Sequence, residues 1–111
     1  MPGRVGVHDI RIGEGEEARR GIVVTVRYEG FLRRGERFGG GTETIDLGRR
    51  ETIAGLRYGI EGMRVGGRRR ITAGPHLTYG ALGVPGVIPP DAVLTFDVEL
   101  LEVLPAWRMG Q

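Results

Sequence analysis

Four residue types, cysteine, serine, lysine and asparagine, are absent from this chain of 111 residues. Without cysteine the chain can form no disulfide, no thiolate nucleophile and no thiolate metal site. Serine-triad, Schiff-base and P-loop chemistries each need at least one of the missing residue types. The composition therefore excludes most nucleophilic enzymes and the P-loop NTPases.

Long hydrophobic runs are also missing. No segment approaches the roughly 18 consecutive apolar residues of a membrane span, and residues 1–17 lack the apolar stretch of a secretory signal. A chain without cysteine fits a reducing compartment. We therefore expect a cytoplasmic protein that has no membrane partner.

The charges of the two signs nearly balance. All 16 basic residues are arginine, 14 residues are acidic, and the net charge is +2. Arginine pairs and one triplet, at residues 68–70, are interleaved with glutamates, which is typical of a solvated surface. A nucleic-acid binder that uses residues 68–70 is the weakest alternative, and it predicts an affinity that falls steeply with salt.

Alternating apolar residues predict a set of β-strands. The pattern indicates strands over residues 22–32, 68–73 and 92–103, and a first strand over residues 5–12 that is interrupted near residues 8 and 9. Residues 39–43 are predicted to be flexible, with a short strand resuming at residues 44–47. The consecutive pair Leu100 and Leu101 predicts a bulge in the last strand.

One helix follows Thr52, which we expect to cap it. Ile53, Leu56, Ile60 and Met63 then recur at helical spacing, and the helix should end at Gly62 or shortly after. One amphipathic helix against antiparallel strands predicts an α+β fold. We expect a single domain over residues 1–111, with a core at about 5–103 and a C-terminal extension at 104–111 that holds the only tryptophan, Trp107.

The loop over residues 75–90 carries apolar side chains between its glycines and prolines. The prolines fix the backbone and the glycines permit turns, so the loop can be ordered despite its length. Its apolar residues either cover the core as a lid or line one wall of an apolar pocket. Spacing alone favours the lid.

Three stretches resemble the FKBP family of peptidyl-prolyl cis–trans isomerases. They are "VTVRYEGFLRRGERF" at residues 24–38, "LGRRETIAGLRYGIEGM" at residues 47–63 and "GIEGMRVGGRRRITAGPHLTYGALGVPGVIPPDAVLTFDVELLEV" at residues 59–103. The resemblance runs from about residue 21 to residue 103. It implies a half-open antiparallel β-sheet wrapped around one short α-helix, with an apolar pocket between them.

The resemblance also implies an activity and a site. A pocket of this kind would speed rotation of Xaa-Pro bonds in proline-containing polypeptides and so assist protein folding, without metal or cofactor. The implied catalytic residues are Tyr28, Phe38, Tyr79 and Phe96, and the implied substrate-binding residues are Ile45, Thr52, Ile53, Leu56, Val87 and Ile88. The loop's apolar residues would then form a pocket wall. Ordinary core packing remains the alternative role for Tyr28, Phe38 and Phe96.

Several positions depart from the family pattern. Gly39 stands where many members carry an aspartate, Leu56 where the best-known members carry a tryptophan, and Val84 where a histidine is common. The segment between Phe38 and Leu47 is shorter, with Ile45 in place of an aromatic residue. These changes predict a wider pocket with weaker macrolide binding, and they leave open a binding or chaperone-like module with little catalysis.

Other polar residues offer no competing chemistry. His8 and His76 lie far apart in sequence and lack the spacing of a metal site. Asp97 and Glu99 alternate with the inward residues of the last strand, so we expect them in salt links on its outer face and not in an acid–base pair. We further expect the protein to be a monomer.

Overall fold

The computed structural model describes residues 5–104, so Trp107 and most of the expected C-terminal extension lie outside the described residues. The described chain forms five strands and one α-helix, which confirms the predicted α+β class. Their bounds are β1 Val5–Arg11, β2 Val23–Phe31, β3 Arg37–Asp46, α1 Ala54–Ile60, β4 Arg68–Ala73 and β5 Leu94–Leu104. A 3₁₀ turn, Pro75–Leu77, opens the long loop before β5.

The strands form one antiparallel sheet in the order β1-β4-β5-β2-β3. Strand β5 lies at the centre, and its predicted inward face is confirmed, because every second residue from Leu94 to Leu100 is buried. Strand β2 buries Val24, Val26 and Gly30 in the same alternation. Hydrophobic burial on one face therefore sets the register of both central strands.

Helix α1 packs unusually close to β4. Gly55 and Gly59 face the sheet, and a Cβ atom added to them would lie 2.7 Å from the Ala73 Cβ and 2.5 Å from the Ile71 Cγ2. A glycine costs about 1 kcal/mol relative to alanine in a helix, so close contact with the sheet must offset two such costs. The helix in turn buries Leu56 and Ile60 under the sheet.

The predicted boundaries of the helix were wrong at both ends. Thr52 does not cap it: Ile53 is the N-cap residue, and no side chain hydrogen-bonds the first turn. The helix ends at Ile60, and Gly62 turns the chain with a φ of 93°. Met63 is still buried, but it lies in the turn after the helix, where its N–H donates to the Ile60 carbonyl.

The prediction of a flexible segment at residues 39–43 was also wrong. Strand β3 is continuous from Arg37 to Asp46 and pairs with β2 along its whole length. A bulge falls at Phe38, between the pairs Gly30–Gly39 and Phe31–Arg37. Pairing with β2 imposes the extended conformation on glycines that have little strand preference of their own.

Smaller irregularities lie close to their predicted places. Strand β1 is continuous through residues 8 and 9, and its register shifts just after them, between Asp9 and Arg11. In β5 the register shifts at Leu101, which confirms the predicted bulge. The predicted strand over residues 68–73 is confirmed at both ends, whereas β5 begins two residues later than expected.

The outer face of the sheet carries paired charges, as expected for Asp97 and Glu99. The Arg68 guanidinium donates two hydrogen bonds of 2.8 Å to the Asp97 carboxylate. Glu99 accepts from Arg27 at 3.1 Å and from Arg11 at 3.4 Å. As for membranes, none of the helices in residues 5–104 has the length and hydropathy to cross one.

Candidate functional site

Three aromatic rings meet where β2, β3 and β5 lie side by side. The Phe96 ring centroid is 5.9 Å from that of Phe38, in an edge-on arrangement, and 6.4 Å from that of Tyr28. Phe96 is 1% exposed, and the other two rings are partly buried against the core. The structure therefore brings together three of the four predicted catalytic residues.

Gly30 makes this arrangement possible. It pairs with Phe96 on one side and with Gly39 on the other. A Cβ atom at Gly30 would lie 2.3 Å from the Phe38 Cζ, so the Phe38 ring occupies the space that a side chain would fill. Sequence reasoning missed this residue. A glycine on the inward face of an alternating strand is the signal that indicates such a close approach.

Aliphatic side chains form the floor beneath the rings. Ile45, Leu56 and Ile88 are 1%, 5% and 5% exposed, and they belong to the same packed cluster as Phe96. Ile53 packs against this cluster while remaining partly exposed. The floor is thus buried and apolar, and the partly exposed residues form its rim.

The loop after the 3₁₀ turn divides its apolar residues between two directions. Ile88 is buried and Val84 packs against the core cluster, and the backbones of these two residues bond to each other. Leu82 and Val87 are 87% and 47% exposed. The loop therefore folds Val84 and Ile88 back onto the core, and Val87 lies on its outer side.

Thr52 is partly exposed just before the start of α1. Its carbonyl accepts a hydrogen bond of 3.0 Å from the Arg57 Nε. Thr52 also lines a separate cavity of about 390 Å³ together with Asp46, Arg49 and Glu51. Of the ten predicted site residues, seven lie in the apolar cluster or pack against it, and the three outside it are Thr52, Tyr79 and Val87.

Tyr79 supplies a polar group at the mouth of the site. It is 38% exposed, and its hydroxyl bonds to no group within residues 5–104. Burial raises the pKa of the Tyr28 phenol, Glu43 and Tyr79 raise it further, and Arg37 opposes them. The interaction with Tyr79 places the two phenols within electrostatic range of each other.

A second donor lies at the start of α1. The Ile53 carbonyl accepts the Arg57 N–H at 3.2 Å, but the Ile53 N–H has no partner in the described part of the chain. An N–H group at the start of a helix has no partner within that helix. The site therefore combines an apolar floor with two donors at its rim, the Tyr79 hydroxyl and the Ile53 N–H.

Metal chemistry has no set of ligands in this region. Between residues 5 and 104 no three histidine, cysteine or acidic side chains gather in a way that could hold an ion. His8 and His76 are both exposed and lie on different elements, β1 and the 3₁₀ turn.

Comparison with known proteins gives consistent matches. A family model described as FKBP-type peptidyl-prolyl cis-trans isomerase matches residues 14–101. The chain is 42% identical over 106 residues to a protein named FK506-binding protein from Neisseria meningitidis serogroup A, covering 91% of this chain and 97% of that protein. It is also 42% identical over 109 residues to the 46 kDa FK506-binding nuclear protein of Spodoptera frugiperda, covering 93% of this chain and 26% of that protein.

Solved structures match over a similar extent. FkpA from Escherichia coli has a TM-score of 0.82 and 34% identity, covering 92% of this chain and 49% of that chain. A peptidyl-prolyl cis-trans isomerase from Pseudomonas syringae has a TM-score of 0.82 and 27% identity, covering 89% of this chain and 74% of that one. The chain thus spans about a quarter of the Spodoptera protein and half of the Escherichia coli chain, but nearly all of the Neisseria protein.

Proposed function

The chain belongs to the family of FKBP-type peptidyl-prolyl cis–trans isomerases, and from that membership we propose that its aromatic cluster binds proline and speeds rotation of Xaa-Pro bonds. The observation that carries this proposal is the convergence of Tyr28, Phe38 and Phe96 over a buried aliphatic floor. A proline ring is apolar and compact, so it fits such a floor. The substrates would be proline-containing polypeptides.

The chemistry requires no nucleophile. Rotation about a peptide bond faces a barrier of about 18–20 kcal/mol, because the twisted amide loses its resonance. The planar amide is more dipolar than the twisted one, so transfer from water into an apolar site disfavours the ground state more than the transition state. Such differential stabilisation speeds the reaction, whereas equal binding of both states would not.

The two donors at the rim give the substrate its orientation. The Tyr79 hydroxyl and the Ile53 N–H are unengaged within residues 5–104, and either can donate to a carbonyl next to the bound proline. Held in this way, the chain on one side of the bond stays fixed while the other side turns. The apolar floor therefore lowers the barrier to rotation, whereas the two donors position the substrate.

Two pairs of variants test the assignment in cis-to-trans relaxation of short Xaa-Pro peptides. Phe38→Ala removes a ring of the cluster and should lower kcat/KM by about tenfold or more, which corresponds to about 1.4 kcal/mol of transition-state stabilisation. Phe31→Ala is its matched control, because Phe31 lies on the opposite face of β2. An unchanged rate in Phe38→Ala would show that the pocket is wrongly assigned.

Tyr79→Phe removes only a hydroxyl. It should lower kcat/KM by about two- to fivefold, as expected for one neutral hydrogen bond of roughly 0.5–1 kcal/mol. Tyr58→Phe on α1 is the control, since the Tyr58 ring packs beneath Arg57, with 5.4 Å between the Arg57 Cζ and the ring centroid. A loss that is equal in both variants would remove Tyr79 from the site.

A second candidate function is a binding or chaperone-like module with little catalysis. Gly39 favours it, because this rim position offers no polar side chain and a Cβ atom there would meet nothing within 4 Å. Peptides with Leu, Phe, Ala or Glu before proline decide between the two. Faster cis-to-trans relaxation, greatest for an apolar residue before proline, supports the isomerase. If no peptide is accelerated but the protein suppresses the aggregation of an unfolded polypeptide, the binding or chaperone-like module is supported.

The remaining parts of the proposal concern ligands and setting. We expect macrolide binding to be weaker than in family members with an aromatic floor, since Leu56 offers less surface. Nucleic acid is not a proposed partner, because Arg68 and Arg69 already pair with Asp97 and Asp9. We propose a cytoplasmic monomer made of a single domain, which cell fractionation and size-exclusion chromatography would test.

A further inference from the structure

A second cavity lies beside the candidate site. It has a volume of about 330 Å³, and it is lined by the β2–β3 turn and the segment that leads into β5. Its lining residues are Leu32, Arg33, Arg34, Glu36, Pro89, Asp91, Ala92 and Val93. None of them belongs to the ten residues assigned to the proline site.

The cavity shares part of its support with the proline site. Its wall residue Pro89 directly follows Ile88 of the pocket wall. Leu32 and Ala92 pack against the same core cluster that contains Phe96 and Ile88. The same packed residues therefore underlie both this cavity and the aromatic cluster.

The charged groups at its rim are free to bind a peptide backbone. Arg33 and Arg34 carry donors, and Glu36 and Asp91 carry acceptors, so the rim has no net charge. None of these four side chains forms an ion pair with another described residue, in contrast to the paired arginines of the outer face. A peptide backbone presents both C=O and N–H groups, which matches a rim of both kinds.

Asp91 adds a separate indication. Its φ is 55°, and it is the one non-glycine residue within 5–104 that adopts a positive φ. Its N–H donates to the Gly80 carbonyl at 3.0 Å, which ties this strained residue to the loop that carries Tyr79. Strained backbone is often retained where a structure holds a ligand.

We propose that this cavity is an accessory substrate subsite, which binds one large apolar side chain of the substrate outside the Xaa-Pro unit while the rim bonds to the adjacent backbone. Leu32, Ala92 and Val93 supply the apolar lining, and the volume is near the lower limit of known ligand sites, at about 300 Å³. The inference rests on the proposed function, because it extends the same bound polypeptide.

The test compares peptides that share one Xaa-Pro core. One peptide is the core tetrapeptide, and the others extend it with a single leucine among glycines, scanned two to four positions from proline on either side. At one position we expect kcat/KM to exceed that of the all-glycine extension by about tenfold, the equivalent of about 1.4 kcal/mol. No increase at any position would overturn the proposal.

A variant that fills the cavity tests the same proposal. Val93→Trp should abolish the gain from leucine and leave the rate on the core tetrapeptide unchanged. Val7→Trp is the control, since Val7 is 50% exposed on β1 at the opposite edge of the sheet. A gain that survives Val93→Trp, or that is lost equally in Val7→Trp, would refute the subsite.

The core tetrapeptide separates this proposal from the proposed function. If the protein does not accelerate the tetrapeptide, the isomerase assignment fails, and the affinity of the same extended peptides is then measured by fluorescence anisotropy. An affinity that rises about tenfold with the leucine and falls in Val93→Trp would still support the subsite. Equal affinity with and without the leucine would refute it.

Discussion

Gly30→Ala adds one methyl group at the point where the aromatic rings meet. The new Cβ would lie 2.3, 2.7 and 2.9 Å from the Cζ, Cε2 and Cε1 atoms of Phe38, whereas ordinary contacts begin at 3.4 Å. The Phe38 ring must therefore withdraw by about 1 Å or rotate away. Either movement disturbs its edge-on contact with Phe96, whose ring centroid is now 5.9 Å away.

The expected change in the free energy of unfolding of Gly30→Ala is the sum of opposing contributions. Overpacking costs about 1–3 kcal/mol, and loss of the aromatic pair about 0.5–1.5 kcal/mol. Replacing glycine by alanine in a strand returns about 0.5–1 kcal/mol, because the unfolded chain loses freedom. We therefore expect the free energy of unfolding to fall by about 1–3 kcal/mol and kcat/KM for Xaa-Pro peptides to fall with it.

Gly39→Ala is the matched control. Gly39 pairs with Gly30 across the strands, yet a Cβ atom at Gly39 would meet nothing within 4 Å. This variant should be as stable as the parent or more stable by about 0.5–1 kcal/mol. Urea denaturation with linear extrapolation measures both, and the isomerase assay is run beside it. If Gly30→Ala proved as stable and as active as Gly39→Ala, the described packing of Phe38 would be wrong.

Three further predictions concern charges and the rim. The side chain of Arg69 is 12% exposed, and it donates to two carbonyls at the end of α1 at 2.9 and 3.1 Å. Arg69→Leu should therefore lower the free energy of unfolding, measured by urea denaturation, by about 2–3 kcal/mol. An equal effect from Arg70→Leu would show that these hydrogen bonds do not stabilise the fold. The hydrogen bond from Arg68 lowers the pKa of Asp97 below 3.8, so this pair stabilises the fold above about pH 4, and that contribution is lost as the pH falls through the lowered pKa. Asp97→Asn should therefore narrow the difference in stability between pH 7 and pH 3, and an unchanged difference would refute the linkage. Gly39→Asp should raise kcat/KM by about two- to fivefold by giving the Tyr28 phenol an acceptor while the Tyr79 hydroxyl stays free for the substrate. A rate equal to that of Gly39→Ala would show that no such bond forms.

The sequence was most informative where burial alone decides the structure. The inward face of β5 was predicted from alternation, because its residues have no other way to leave water. The extent of β3 was not, because three consecutive glycines favour a loop and only pairing with β2 makes them a strand. Thr52 was a reasonable cap by residue type, but the chain enters α1 at Ile53 with extended backbone, and no side chain reaches the first turn.

The candidate site, like the fold, could be predicted from the sequence only in part. The resemblance to a family placed Tyr28, Phe38 and Phe96 in one site, and the structure brings these rings together. The contact between Gly30 and Phe38 could not be predicted, since it depends on a bulge in β3 that shifts the register by one residue. The positions of Thr52 and Val87 likewise depend on the paths of their loops, which the apolar pattern does not determine.

The central place of β5 has a consequence for how the chain folds. β5 is the last of the five strands in residues 5–104, and it lies between β4 and β2, with Val26 paired to Leu100. Before β5 is synthesised, β2 with β3 and the distant strands β1 with β4 can form only two separate two-stranded pairs, and the edges that β5 later joins stay open. Folding must then wait for contacts between residues more than 70 positions apart in sequence, which slows it relative to folds with local contacts. A nascent chain that stops before Leu94 should therefore stay unfolded, and removal of β5 should abolish the whole fold and not just one edge.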